Sequence, residues 1–263
     1  MPAPLRPPSH RSWKRTPQTD MSWYEQWFDA DEYDLVYQDR DENEARSLID
    51  LIEAKTSPGP GSTVLDIGCG RGRHAVDFAV RGHVVTGLDL SPRSLEAAQE
   101  RAAEADVEVS FVRGDMRTAI GGQFDLVVNL FTAFGYFEDD SGHQQAVDAM
   151  AASMTPDAWL VQDFLNPAFL RDSLVSSDVR HVGDSEIRQA RRIENGRIRK
   201  RIEFLKGRST HSFEESVALL ELADFERFYA AAGLQLESVV GDYAGGPHGP
   251  SSPRTILFSR RTG

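Results

Sequence analysis

Val64-Leu65-Asp66-Ile67-Gly68-Cys69-Gly70-Arg71-Gly72-Arg73-His74-Ala75 joins an apolar run, an acid, three glycines spaced two apart, and a helical pattern continuing from Ala75 to Val80. The apolar run reads as a buried strand, so the glycines form its exit turn and the segment after them a helix. Glycine accepts positive φ and carries no Cβ, which lets the backbone approach a ligand closely at the carboxyl edge of a strand. Strand, glycine turn and helix in that order make a cofactor-binding turn.

The sequence around it repeats the rhythm. Gly82 ends the helix, and 83–88 form a second strand that closes on Asp89. Ser91-Pro92 supplies an N-cap and a first helical residue for a helix to about Ala105. A third strand over 107–112 is closed by Arg113-Gly114-Asp115-Met116; a fourth spans 124–130, a helix about 144–154, and a fifth strand 158–163. Five such β-α alternations predict a doubly wound parallel α/β sheet with helices on both faces. Past residue 175 the rhythm changes. Runs over 187–193 and 197–205 flank Glu194-Asn195-Gly196, a hairpin signature, and a further strand covers 211–219. A helix over 222–232 and strands over 234–240 and 255–260 return to the main pattern.

Upstream, 1–20 hold five prolines and few residues able to pack, and read as a disordered tail. Residues 21–55 form an aromatic N-terminal segment and a helix with Ala45, Leu48, Ile49 and Ile52 on one face. Residues 56–263 are the main domain, and 176–220 an inserted β cap. The segment from Trp23 through Tyr33 and Tyr37 to Arg40 has two readings: a helix packed on the core, or a lid whose rings and Arg40 cover a ligand.

Composition bounds the function. The chain has 263 residues with 29 Lys and Arg against 41 Asp and Glu, a net charge of −12. Nucleic-acid binders draw affinity from basic surface, so such a partner is disfavoured. No apolar run approaches a membrane span. A single cysteine, Cys69, excludes an intramolecular disulfide and suits a cytoplasmic, reducing location.

Ligands of open parallel sheets bind at the carboxyl ends of strands. Asp66, Asp89 and Asp115 stand at three successive ends. Asp89, with Leu90 after it, lies about 20 residues beyond the glycine turn, where a carboxylate accepts two hydrogen bonds from a ribose diol. Asp115 can accept from an exocyclic amine, with the Met116 amide available to a ring nitrogen. Gly70-Arg71-Gly72-Arg73-His74-Ala75 also fits the nicotinamide-dinucleotide fingerprint G-x-G-x-x-A. Asp66 speaks against it, because a carboxylate beside the turn repels a pyrophosphate and favours a cationic ligand.

These residues resemble the class I S-adenosylmethionine-dependent methyltransferases. Asp66-Ile67-Gly68-Cys69-Gly70-Arg71-Gly72 resembles the first motif, Gly87-Leu88-Asp89-Leu90-Ser91 the second, Gly114-Asp115-Met116 the third and Phe124-Asp125-Leu126-Val127-Val128-Asn129 the fourth. The N-terminal aromatic pattern, residues 129–137, Gly241-Asp242-Tyr243 and Ser252-Pro253-Arg254 are similar to a bacterial group that methylates small molecules. The resemblance implies a seven-stranded sheet whose last strand is antiparallel and inserted beside the sixth. It also implies Asp66, Gly68 and Gly70 around the methionine moiety, Asp89 on the ribose, Asp115 and Met116 at adenine, and Asn129, Leu130 and Phe131 near the amino group. Tyr37 and Arg40 are implied for the cofactor carboxylate.

The expected activity is transfer of a methyl group to nitrogen or oxygen of a small-molecule acceptor, with no metal. A nicotinamide-dependent oxidoreductase and a non-catalytic nucleoside sensor on the same fold stay open. A general base is optional; His143, His211 and His248 are candidates by type, and His248 is singled out by its loop Gly245-Gly246-Pro247-His248-Gly249-Pro250. Residues 129–132 lack the prolines of amino-adenine methylases, and the lone cysteine lies in the turn, away from any pyrimidine chemistry. The nine Arg and Lys over 188–208 read as the solvated face of a ribbon or as a steering patch for an anion.

Overall fold

The structure, a computed structural model, describes residues 22–37, 42–207 and 209–261. The tail expected over 1–20, Arg40 and Arg208 lie outside the described residues.

Unbroken apolar runs build the central strands β1 (Thr63–Ile67), β2 (Val84–Asp89), β3 (Val109–Arg113), β4 (Phe124–Asn129) and β5 (Met154–Leu165). Leu65, Val127 and Leu160 point to one face and Val64, Val128 and Val161 to the other, and all six are fully buried. Burial of both faces is what a parallel sheet requires. Four strands follow, β6 (Ser177–Val182), β7 (Ser185–Glu194), β8 (Arg197–Lys206) and β9 (Ser209–Ala218), and then β10 (Leu234–Val240) and β11 (Arg254–Arg261). The main sheet has the order β10-β11-β5-β4-β1-β2-β3, with β11 antiparallel between β10 and β5. The expected insertion of the last strand beside the sixth is therefore present.

Helices α1 (Trp23–Phe28), α2 (Glu32–Tyr37) and α3 (Glu42–Thr56) precede β1, and α4 (Arg73–Val80) and α5 (Pro92–Glu104) follow β1 and β2. α6 (Asp140–Ala152) joins β4 to β5, α7 (Pro167–Ser173) follows β5, and α8 (Leu222–Ala231) precedes β10. Local chemistry sets their starts: the side chains of Ser91, Asp139 and Asn166 accept from backbone amides in the first turns of α5, α6 and α7. The connection from β3 to β4 contains no helix, contrary to the regular alternation expected. It is short and passes through Gly121-Gly122, both at positive φ.

The insertion is larger than a hairpin with one added strand. β6-β7-β8-β9 form a four-stranded antiparallel sheet, and Asn195-Gly196 at φ 50° and 70° make the expected tight turn between β7 and β8. The aromatic segment is two short helices rather than one. Trp27 and Val36 pack with Ile187, Ile202 and Phe204 of the second sheet, while α3 buries Leu48, Ile49 and Ile52 against the main sheet. The N-terminal residues thus divide between two packing units. Burying the methylenes and ring of a side chain such as Trp27 is worth about 2–3 kcal/mol, which binds α1 to the cap.

Candidate active site

Gly68, Gly70 and Gly72 follow β1 with φ of 73°, 53° and 74°. A Cβ on Gly68 would stand 2.8 Å from the Ala133 Cβ, and one on Gly72 2.9 Å from the Ala98 Cβ. Gly70 has nothing within 4 Å and faces an open cavity. The turn is therefore pressed from both sides and bare in the middle. Asp89 braces it: one carboxylate oxygen accepts from the Gly70 amide at 2.8 Å and the other from the Ser91 amide at 2.9 Å. Burial raises the Asp89 pKa, opposed by the Ser91, Gly70 and Leu90 amides. Both Asp89 and Leu90 line the cavity.

Asp66 lies beneath the turn, 1% exposed and behind the cavity wall, and its Oδ2 has no hydrogen-bond partner. Burial and then the Asp89 charge push its pKa up to about 7, against the Ala75 amide and Arg73. An orphaned buried carboxylate oxygen under a bare glycine cradle fits a ligand that brings positive charge, as the ammonium and sulfonium of S-adenosylmethionine do. Cys69, buried with its thiol pKa raised by burial, packs its sulfur where a Cβ on Gly87 would come within 2.9 Å.

Asp115 and Met116 line the same cavity. Burial works to raise the Asp115 pKa, but Arg117 holds it low through contacts of 2.5–3.1 Å to both oxygens. Asn129 departs from expectation. Its side chain is 1% exposed and absent from the cavity wall, donating to the Ile67 and Ala133 carbonyls and accepting from Gln162. It ties β1 to the loop after β4, and Leu130 and Phe131 of that loop reach the cavity.

The cavity, about 700 Å³, lies between the strand ends and the second sheet, a size that suits a small-molecule site. Trp23, Tyr24, Phe28, Tyr33 and Tyr37 of α1 and α2 line it, with Ile198, Lys200, Glu215 and Val217 of β8 and β9. Trp27 is buried core, as the packed reading expects, while its aromatic neighbours form cavity wall. Glu215 joins the parts: its Oε1 accepts from Trp27 Nε1 at 2.6 Å and from the Tyr37 hydroxyl at 2.5 Å. Lys200 donates to the Tyr37 oxygen at 2.9 Å and lies 3.6 Å from Glu215 Oε2. The loop after β4 is held to the cap by Arg197, which donates to the carbonyls of Gly135, Tyr136, Phe137 and Ser216 at 2.8–3.2 Å.

None of the three histidines named from sequence lines the cavity. His248 Nε2 lies 3.0 Å from Thr255 Oγ1 in the loop before β11, so its role as a base is withdrawn. His143 is buried among the rings of Phe134, Phe137 and Phe228, and His211 pairs with Glu32 at 2.9 Å. The basic ribbon is largely neutralised on itself: Arg188, Arg191, Arg192, Arg199 and Arg201 pair with Glu186, Asp178, Glu194, Glu214 and Glu203. Sequence reasoning missed Glu215, Lys200 and Asp163. Asp163, 1% exposed at the end of β5, repeats the strand-ending acid seen at Asp66 and Asp89.

A methyltransferase domain family matches residues 64–157. A dTDP-3-amino-3,4,6-trideoxy-alpha-D-glucopyranose N,N-dimethyltransferase of Streptomyces venezuelae is 30% identical over 228 residues, covering 82% of this chain and 94% of that protein. A dTDP-3-amino-3,6-dideoxy-alpha-D-glucopyranose N,N-dimethyltransferase of Streptomyces fradiae is 27% identical over 233 residues, covering 82% and 87%. Among solved structures, the amino pentose methyltransferase CalS10 from Micromonospora echinaspora, with S-adenosylmethionine bound, superposes with a TM-score of 0.66 at 25% identity, over 89% of this chain and 98% of that one.

Proposed function

The chain belongs to the class I S-adenosylmethionine-dependent methyltransferases, and from that premise we propose that it methylates the nitrogen of a small amine-bearing acceptor, an amino sugar being the favoured class. The nicotinamide and non-catalytic alternatives fall with that membership. The observation that carries the nitrogen reading is the acceptor side of the cavity, where aromatic rings of α1 and α2 share the wall with the Glu215 carboxylate, fixed by Trp27 Nε1 and the Tyr37 hydroxyl. Ring faces and a fixed carboxylate favour the ammonium that forms as an amine is alkylated. The two curated relatives named above act on amino sugars by their names, in the same direction.

S-adenosylmethionine supplies a methyl group on a sulfonium, whose departure leaves a neutral thioether. The residues contribute binding, alignment and exclusion of water. We assign Asp89, with Leu90, to the ribose hydroxyls, Asp115 and the Met116 amide to adenine, and Asp66, Gly68 and Gly70 to the methionine end. Leu130 and Phe131 border that end, while Asn129 supports them from within the fold. Tyr37, whose hydroxyl donates to Glu215 and accepts from Lys200, is placed with them on the acceptor side, and its expected place at the cofactor carboxylate is not retained. A neutral amine attacks through its own lone pair, so no base is required before transfer. The residues over 23–37 and the cap over 176–220 are proposed as the acceptor-side cover of the main domain. A single thiol suits the cytoplasm, and among the described residues no helix is long and apolar enough to cross a membrane.

The test is a mass-spectrometric assay with S-adenosylmethionine and matched amino and hydroxy sugars, free and nucleotide-linked. Methylation of the amino member of each pair is expected. Equal transfer to the hydroxy members would overturn the nitrogen reading.

A further inference from the structure

Phe131 and Thr132, the loop residues after β4, stand consecutively at φ 56° and 63°. This is the left-handed region, which is sparsely used by any side chain and is an outlier for β-branched threonine. Two such residues in a row persist only where the surroundings over-determine them. Asp163 and Arg254 provide that constraint. The Asp163 Oδ2 accepts from the Phe131 amide at 3.0 Å and its carbonyl from the Thr132 amide at 2.9 Å. Arg254 donates through Nε to Asp163 Oδ1 at 2.7 Å and through Nη2 to Thr132 Oγ1 at 3.0 Å. Tyr243 donates its hydroxyl to Asp163 Oδ2 at 2.9 Å, completing the carboxylate's shell.

The strand order explains how these residues meet. β5 ends at the ligand edge and antiparallel β11 begins there, so Arg254, opposite Leu165 in the register, lies diagonal to Asp163, which is opposite Ile256. The loop they hold bears on the cofactor turn, since a Cβ on Gly68 would strike Ala133. Glycine in place of Phe131 and Thr132 would relieve the backbone but remove two cavity-lining side chains, including a ring that has Arg73 at 4.8 Å and Arg254 at 5.6 Å from its centroid.

We propose that Asp163 and Arg254, supported by Tyr243, are positioning residues that hold the 130–133 loop in its left-handed form against the glycine turn and thereby set cofactor affinity. This inference rests on the assignment of the turn to S-adenosylmethionine. The test compares S-adenosylhomocysteine binding by calorimetry, hydrogen exchange of the 129–135 backbone, and thermal stability in wild type, Arg254→Lys, Asp163→Asn and Arg254→Lys/Thr132→Gly. Arg254→Lys and Asp163→Asn are expected to weaken binding about tenfold and to speed exchange in the loop. Thr132→Gly, which adopts positive φ without strain, is expected to restore most of the affinity to Arg254→Lys. Folded Arg254→Lys with wild-type affinity, or a double variant that recovers nothing, overturns the proposal. Failure of the wild type to bind S-adenosylhomocysteine would instead remove the cofactor assignment beneath it.

Discussion

Asp66 combines two demands that oppose each other. Its carboxyl is buried under the turn with one oxygen unpartnered, and its pKa is pushed up to about 7 by burial, then by Asp89. From about pH 4 to 7 the unfolded chain has released this proton and the folded chain has not, so this group's contribution lowers stability as pH rises through that window. Each unit of displacement is worth about 1.4 kcal/mol. Asp66→Asn is therefore expected to melt higher than wild type at pH 8, with the difference shrinking toward pH 4, and to bind S-adenosylhomocysteine more weakly at pH 8. Thermal denaturation across pH checks the first part; a variant that melts lower at pH 8 contradicts it. Asp66, Asp89 and Asp115 were legible in the sequence because the first two lie at strand ends and the third just after one, and a strand end can be read from one apolar run. Glu215 and Lys200 were not, because their place in the cavity depends on how the second sheet folds over the first. Asn129 shows the opposite limit: its strand-end position was legible, but its commitment to the Ile67 and Ala133 carbonyls was not.

At the level of elements, the main strands were readable because burial on both faces leaves nearly continuous apolar runs. β6 was not, since its residues alternate between exposed and half-buried at the edge of the cap and present no apolar face. α7 follows β5 directly and takes its start from Asn166-Pro167, a signal present in the sequence. The join between cap and main sheet rests on Arg197, whose guanidinium serves four backbone carbonyls; burial lowers its pKa. Arg197→Ala leaves those carbonyls without this donor and is expected to cost about 2–3 kcal/mol of stability. Because Tyr136 and Phe137 line the cavity from the loop it holds, the acceptor KM is expected to rise more than that of S-adenosylmethionine. Steady-state kinetics against both substrates measures this, and equal changes in the two KM values would contradict it.

The described residues form a mostly parallel sheet whose carboxyl edge is roofed by a second, antiparallel sheet and two aromatic helices, with a cavity between them. The division of labour was visible in outline, because the glycine turn and three acids fall before residue 120 and the change of rhythm comes after 175. The closeness of α1 and α2 to the cap was not, since aromatic residues at helical spacing serve a core and a lid equally. The glycine turn, braced by Asp89, is the proposed seat of S-adenosylmethionine. Calorimetric titration of S-adenosylhomocysteine into wild type and Asp89→Ala, with NADH as the control ligand, tests it most directly. The wild type is expected to bind S-adenosylhomocysteine and not NADH, and folded Asp89→Ala to bind at least about tenfold more weakly. Equal affinity in the two proteins would contradict it.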